Sequence, residues 1–363
     1  MGQAGDTSWI SRMRLNWQGR SSSQNLVATL SLWTIAALVP LALMIMNPLG
    51  RLDFNVLWIG GKLALSGGAG QVYDPVAAGA VAESIGFPET VIFPYPPHAL
   101  FFFIPFAALA PFPAYLAWNL LTAAIFCWAA RPWLPDGFPL ILALTTPAAL
   151  ICLDFGQTGL LFGGLWMLAF QGRWPAVSLL SFKPHLALPS ILSLRNRSQL
   201  CKAGLILLLL LALSSIAFGA SLWIEFVQHT LGHAADIGTR KRWLYAGVSP
   251  AFAYGFWGWI LFATASVLLL IRNANVFTAA TAALLISPYG FHYDMPVACL
   301  GFGLVIFQHW HAMPIRHRMP VTLGFLAPVI ALVGAWWVPP ILAWALWVQV
   351  KYPLSGSNAA EAS

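Results

Sequence analysis

Residues 203–224 read AGLILLLLLALSSIAFGASLWI, twenty-two positions without a charged side chain. As a helix rising about 1.5 Å per residue, that run is long enough to cross the roughly 30 Å hydrocarbon core of a bilayer. Similar blocks recur along the whole chain. Its 363 residues are 59% hydrophobic and 8% charged, against about 25% charged in a typical soluble domain. That little charge cannot cover a water-exposed surface. The blocks are apolar on all sides, whereas a membrane barrel needs apolar and polar residues in alternation, so helices are the spanning elements.

The expected fold class is therefore all-α: a polytopic transmembrane helical bundle of about 10–12 spanning helices. Candidate spans are 26–46, 98–111, 113–130, 138–153, 156–171, 174–194, 203–224, 251–271, 276–288, 294–308, 320–338 and 340–351. Pro184 and Pro189 fall inside 174–194 and give that segment a second reading as a re-entrant pair. The organisation predicted is one membrane-embedded domain over 1–354, with a disordered tail at 355–363. The first apolar run is too long for a cleaved signal peptide and follows Arg12, Arg14 and Arg20, which places the N-terminus inside.

The formal net charge of +7 sits in short basic clusters between apolar blocks. That is the positive-inside pattern and assigns the charge to membrane lipids rather than nucleic acid. The loop with His309, His311, His317, Arg316 and Arg318 reads as cytoplasmic by the same rule. Cys127, Cys152, Cys201 and Cys299 show no CxxC spacing, and no metal site is expected. Phosphate-loop, dinucleotide and DxD signatures are also missing, so no cofactor is expected.

Two outer loops carry the polar chemistry. The first, about 47–97, holds Asp53, Asp74, Glu83 and Glu89, four of the eleven acids. Phe54, Leu57, Trp58 and Leu65 share one helical face there, predicting an amphipathic interfacial helix with Asp53 at its start. Asp53 is then either an N-cap or a general base at the lipid boundary. Asp74, in Tyr-Asp-Pro, is either a turn residue or a second functional acid. The second loop, about 225–250, carries Arg240, Lys241 and Arg242 on the side where basic residues are unusual, which points to an anionic ligand or anionic headgroups. Lys183 within an apolar run is either a buried phosphate contact or a snorkelling cation. His292, beside Tyr289 and Tyr293, either bonds a donor phosphate or packs in the aromatic belt.

A series of short motifs in order is more specific than any of them alone. After Asp53 come Gly67-Gly68, Tyr73-Asp74, Tyr95-Pro96-Pro97, Gly156-Gln157 before Leu160-Leu161, Lys183-Pro184, and Ser287-Pro288-Tyr289-Gly290-Phe291-His292-Tyr293. Over about residues 50–295 this series resembles glycosyltransferase family 87, the polyprenyl-phosphate-mannose-dependent mannosyltransferases and their relatives. Thr158-Gly159 follows Gly-Gln where many members have asparagine. The resemblance implies a GT-C-like fold and an inverting transfer of a mannose-like hexose from a polyprenyl-phosphate donor to a lipid or glycan acceptor. It places the general base on Asp53 and favours a phosphate contact for His292, and with the residue readings above the candidate substrate contacts are Tyr95, Asp74, Gln157, Lys183, His292, Arg240 and Arg242. It also implies the bacterial inner membrane, with the active site facing the periplasm or cell exterior. The rival class is a polytopic lipid or solute transporter or flippase. It is disfavoured by the absence of repeated halves and by acids that gather in outer loops.

Overall fold

The computed structural model describes residues 26–42, 45, 52–87, 93–237 and 247–354. Its described elements are helices joined by short turns, with no strand among the described residues. Three helices, α8 (Gly159–Phe170), α14 (Val276–Ile286) and α15 (Pro296–His309), are apolar on all sides and buried along nearly their whole length. A helix without a polar face belongs in an interior. Small residues set how closely the neighbours approach. Gly163 and Gly164 lie against Phe126 and Ile125 of α5 (Pro111–Ala130), and Gly303 of α15 receives the ring of Trp33 from α1 (Leu26–Ala42).

The outer layer has the opposite character. On α11 (Arg197–Phe218), Leu205, Leu208, Leu209, Leu213 and Ile216 are exposed, and on α13 (Pro250–Arg272), Trp257, Leu261, Leu268 and Ile271 are exposed. Exposed apolar side chains in that number fit a hydrocarbon solvent. Together with Pro111–Trp133, these two are the described helices both long and apolar enough to cross a membrane. Shorter apolar helices occupy Leu26–Ala42, Pro97–Ala107, Gly159–Phe170 and Val276–Ile286. The chain is an all-α membrane protein.

Several expectations need correction. Of the ten to twelve expected spans, three described helices are long and apolar enough to cross a membrane unbroken, while proline and glycine divide several other apolar blocks into shorter helices. Segment 138–153 becomes α6 (Ile141–Leu144) and α7 (Pro147–Phe155). Segment 174–194 becomes α9 (Pro175–Leu179), α10 (Pro184–Ala187) and two 3₁₀ turns, a broken path that begins each short helix at a proline. Segment 203–224 ends at Gly219, whose φ of 93° turns the chain into α12 (Ser221–Ile237), so the second loop begins as helix. The helix over α2 (Leu52–Leu65) is not amphipathic. Phe54, Val56, Leu57, Trp58, Ile59 and Leu63 are all buried, while Leu65 is exposed. It packs face-on to α4 (Leu100–Ala107), where Gly61 meets the backbone of Phe103. The tail 355–363 and the N-terminal 25 residues lie outside the described residues.

Two ties fix the broken segment and the turn after α14 against α8. Lys183 Nζ donates to Asp294 Oδ1 at 2.5 Å in a pair whose side chains are 4% and 3% exposed. Gly159 is so close to the Tyr293 backbone that a Cβ there would sit 1.8 Å from its carbonyl oxygen.

Lys183→Met is expected to lower stability by about 3–5 kcal/mol, because it leaves a buried carboxylate uncompensated, and Lys183→Met with Asp294→Leu should recover most of that loss. Thermal unfolding in detergent reads both, and a double variant no better than the single would contradict the pairing. Gly159→Ala should cost about 1–3 kcal/mol by forcing the Tyr293 backbone away. Gly204→Ala, where a Cβ meets open space, should leave the melting temperature unchanged or slightly raised.

Candidate functional site

Asp53 is the second residue of α2 and is half-buried. Its Oδ2 accepts a hydrogen bond from Gln157 Nε2 at 2.7 Å, joining positions 104 residues apart. The backbone at the far partner explains the meeting. Gly156 ends α7 in the left-handed region at φ 64° and ψ 34°, and a Cβ there would lie 2.6 Å from Phe54. Glycine is needed for the turn and for the approach. The carbonyl of Leu153, freed at the end of α7, accepts from Tyr115 Oη at 2.6 Å and Asn119 Nδ2 at 2.8 Å. With the helix end satisfied, Gln157 directs its Nε2 onto α2 while its Oε1 accepts from the Thr158 N–H at 3.4 Å.

The network continues through Thr158. Its hydroxyl pairs with Tyr95 Oη at 2.8 Å, and Tyr73 Oη donates to the Tyr95 carbonyl at 2.6 Å. Burial, reinforced by Glu225, pushes the Tyr73 phenol far above its ordinary value, so it remains a donor. First-loop and α7–α8 residues thus form one hydrogen-bonded strip ending at the Asp53 carboxylate.

A second cluster adjoins it. The Lys183 ammonium lies 5.7 Å from the Tyr95 ring centre and 5.4 Å from that of Tyr293. Asp294 also accepts from the Phe291 backbone N–H through Oδ2 at 3.0 Å, so one carboxylate holds the lysine and closes the 3₁₀ turn His292–Asp294. His292 is buried in that turn between the rings of Phe155 and Tyr293. Burial pushes the Tyr293 phenol well above its ordinary value, and the charges of Asp294 and Asp53 act in the same direction. A crevice lined by Phe162, Trp166, Leu186, Leu284 and Val297 reaches Asp294 but does not border Asp53.

Of the residues singled out in the sequence, Asp53, Gln157, Tyr95, Lys183 and His292 come together. Lys183 does not snorkel, since it is 3% exposed and paired. Asp74 stands apart: it is exposed, and its Oδ1 caps α3 (Pro75–Ser84) by accepting from Val76 N at 2.9 Å. Arg240 and Arg242 lie outside the described residues. The sequence reading missed Asp294, which a search for the acid required by an isolated lysine would have found. It also missed His98, whose Nε2 lies 3.0 Å from Ser181 Oγ and whose ring stacks on Trp223, and His185, whose ring sits on Tyr289. These depend on tertiary contacts with no sequence signal.

Among curated proteins and among solved structures, no match was found. A family model does match: glycosyltransferase family 87, over residues 93–307. The stretch holds Tyr95, Gln157, Lys183, His292 and Asp294, with Asp53 upstream but bonded directly to a residue within it. Since the match covers more than half of the 363 residues, the chain belongs to glycosyltransferase family 87.

Proposed function

We propose that the protein is an inverting transferase of GT-C type, moving a mannose-like hexose from polyprenyl phosphate to a lipid or glycan acceptor, with Asp53 as general base. The observation that carries this reading is the Asp53–Gln157 hydrogen bond, which holds a half-buried carboxylate at the meeting of two motif segments. In a single displacement the acceptor hydroxyl oxygen forms the new bond to the anomeric carbon as the bond from that carbon to the phosphate oxygen breaks. The hydroxyl proton passes to the Asp53 carboxylate, and polyprenyl phosphate departs as a stable anion that needs little acid assistance. One carboxylate suffices, and attack from the face opposite the phosphate inverts the anomeric centre, unlike the paired-carboxylate retaining arrangement.

The other residues take supporting roles in this reading. Gln157 orients the carboxylate. His292, in the turn closed by Asp294, faces the donor phosphate. Lys183, already paired, is a positioning residue that holds this turn against Tyr95. Arg240 and Arg242, which lie outside the described residues, are assigned in this reading to the same phosphate by their charge alone. The leaving group and its tail stay in the lipid, and the site opens to the outer face of the bacterial inner membrane.

Asp53→Asn is expected to cut transfer from a polyprenyl-phosphate hexose by about 10²–10⁴-fold with insertion and melting temperature unchanged. Gln157→Ala should cost less, roughly ten- to a hundredfold, because the base survives but loses its aim. Radiolabelled donor added to membranes and followed into extracted acceptor gives both rates. Undiminished transfer by a well-folded Asp53→Asn protein would end the reading.

A further inference from the structure

His185 and Tyr289 form a second polar feature next to the proposed centre, outside the motif roles above. His185 follows Lys183-Pro184 at the break in the chain, and its imidazole centre lies 4.3 Å from the Tyr289 ring centre. Both residues are of intermediate burial, unlike the buried Lys183 and His292. Among the described residues, neither imidazole nitrogen of His185 nor the Tyr289 hydroxyl makes a hydrogen bond, and none of these atoms is shut away from solvent. Their polar edges are therefore available to a ligand.

The platform is rigid. Ser287 Oγ accepts from the Tyr289 N–H at 3.2 Å and donates to its carbonyl, while Val248 N donates to Gly290 O at 2.9 Å. The Tyr289 ring is walled by Phe291 at 5.4 Å. A fixed aromatic surface with two open polar edges suits a ring that is apolar on its C–H face and rimmed by hydroxyls.

We propose that the tilted His185–Tyr289 ring pair is a sugar subsite, binding ring hydroxyls of the substrate beside the Lys183–Asp294 pair. This rests on the transferase reading and adds residues that discriminate among sugars. A site built to bond a hydroxyl rejects the analogue that lacks it, since its own polar groups are then left unpaired.

The test uses His185→Phe and Tyr289→Phe, which keep both rings in contact while removing the polar atoms. Affinity is measured in detergent for two probes, farnesyl-phosphate mannose and hexyl mannoside, together with their 2-, 3-, 4- and 6-deoxy forms. Both variants should keep the wild-type melting temperature, lose roughly ten- to a hundredfold in affinity, and lose wild-type discrimination at one or two hydroxyl positions only. Loss on the phosphate probe places the donor sugar in the subsite, and loss on the hexyl probe places the acceptor sugar there. Unchanged affinity in both variants, a uniform loss across every deoxy form, or failure of the wild type to bind either probe overturns the proposal. Asp53→Asn should bind both probes normally. Retained transfer in that variant would sink the catalytic role of Asp53 while leaving the binding results to decide the subsite.

Discussion

A charge inside an apolar protein must be matched on the spot, and the Lys183–Asp294 pair is where this chain meets that demand. Its partners stand 111 residues apart, so the pairing decides how two distant segments meet. The same aspartate accepts from the Phe291 N–H, the Cys152 thiol donates to the Tyr293 carbonyl at 3.0 Å, and Gly159 abuts that carbonyl. Three separate contacts therefore converge on residues 291–294. The turn carrying His292 cannot shift without breaking an ion pair, opening a helix start, or both.

The other half of the centre is built from hydrogen bonds rather than an ion pair. Asp53 is reached through Gln157, Gln157 adjoins Thr158, and Thr158 holds the Tyr95 hydroxyl. Tyr95 then lies under the Lys183 ammonium, so the hydrogen-bonded strip and the ionic cluster share a ring. This sharing explains why short motifs so far apart in sequence form one pattern. Each supplies a side chain or a glycine that a neighbouring motif requires at contact distance, and none is complete alone.

Much of this was legible before any coordinates. The runs now seen as α11 and α13 stand out because lipid-facing helices are apolar outward as well as inward, which leaves no ambiguity of period. The helix over α2 was misread because Phe54, Leu57 and Trp58 were weighed while Val56, Ile59 and Leu63 were not. Counting all six shows an element apolar on every side, the mark of burial rather than of an interface. Chain breaks were legible as prolines at 184 and 189, but their consequence was not, since a proline marks where a helix stops and not where the next segment goes. Motif order singled out Asp53, Gln157, Lys183 and His292, which the fold brings together, whereas Asp74 caps α3 away from them, since Tyr-Asp-Pro fits a cap and an acid site equally well. Asp294 was reachable by asking what neutralises Lys183. The contacts of His98 and His185 were not, because they depend on which rings the tertiary fold stacks together.

The distribution of irregular backbone carries the last step. Within a membrane protein, non-helical chain leaves peptide groups that lipid cannot satisfy, so it persists only where protein or water supplies partners. Here the breaks are not scattered. The left-handed Gly156, the Pro96-Pro97 turn, the extended Lys183 and the 3₁₀ turn at His292–Asp294 gather near the start of α8, whose remaining length is uninterrupted and buried. A chain selected only for packing would favour continuous helices through this region. Four interruptions gather at one end of a buried helix, and Gln157, Thr158, Tyr115, Asn119 and Asp294 supply the hydrogen bonds there, which concentrates the polar groups of an apolar bundle in one place.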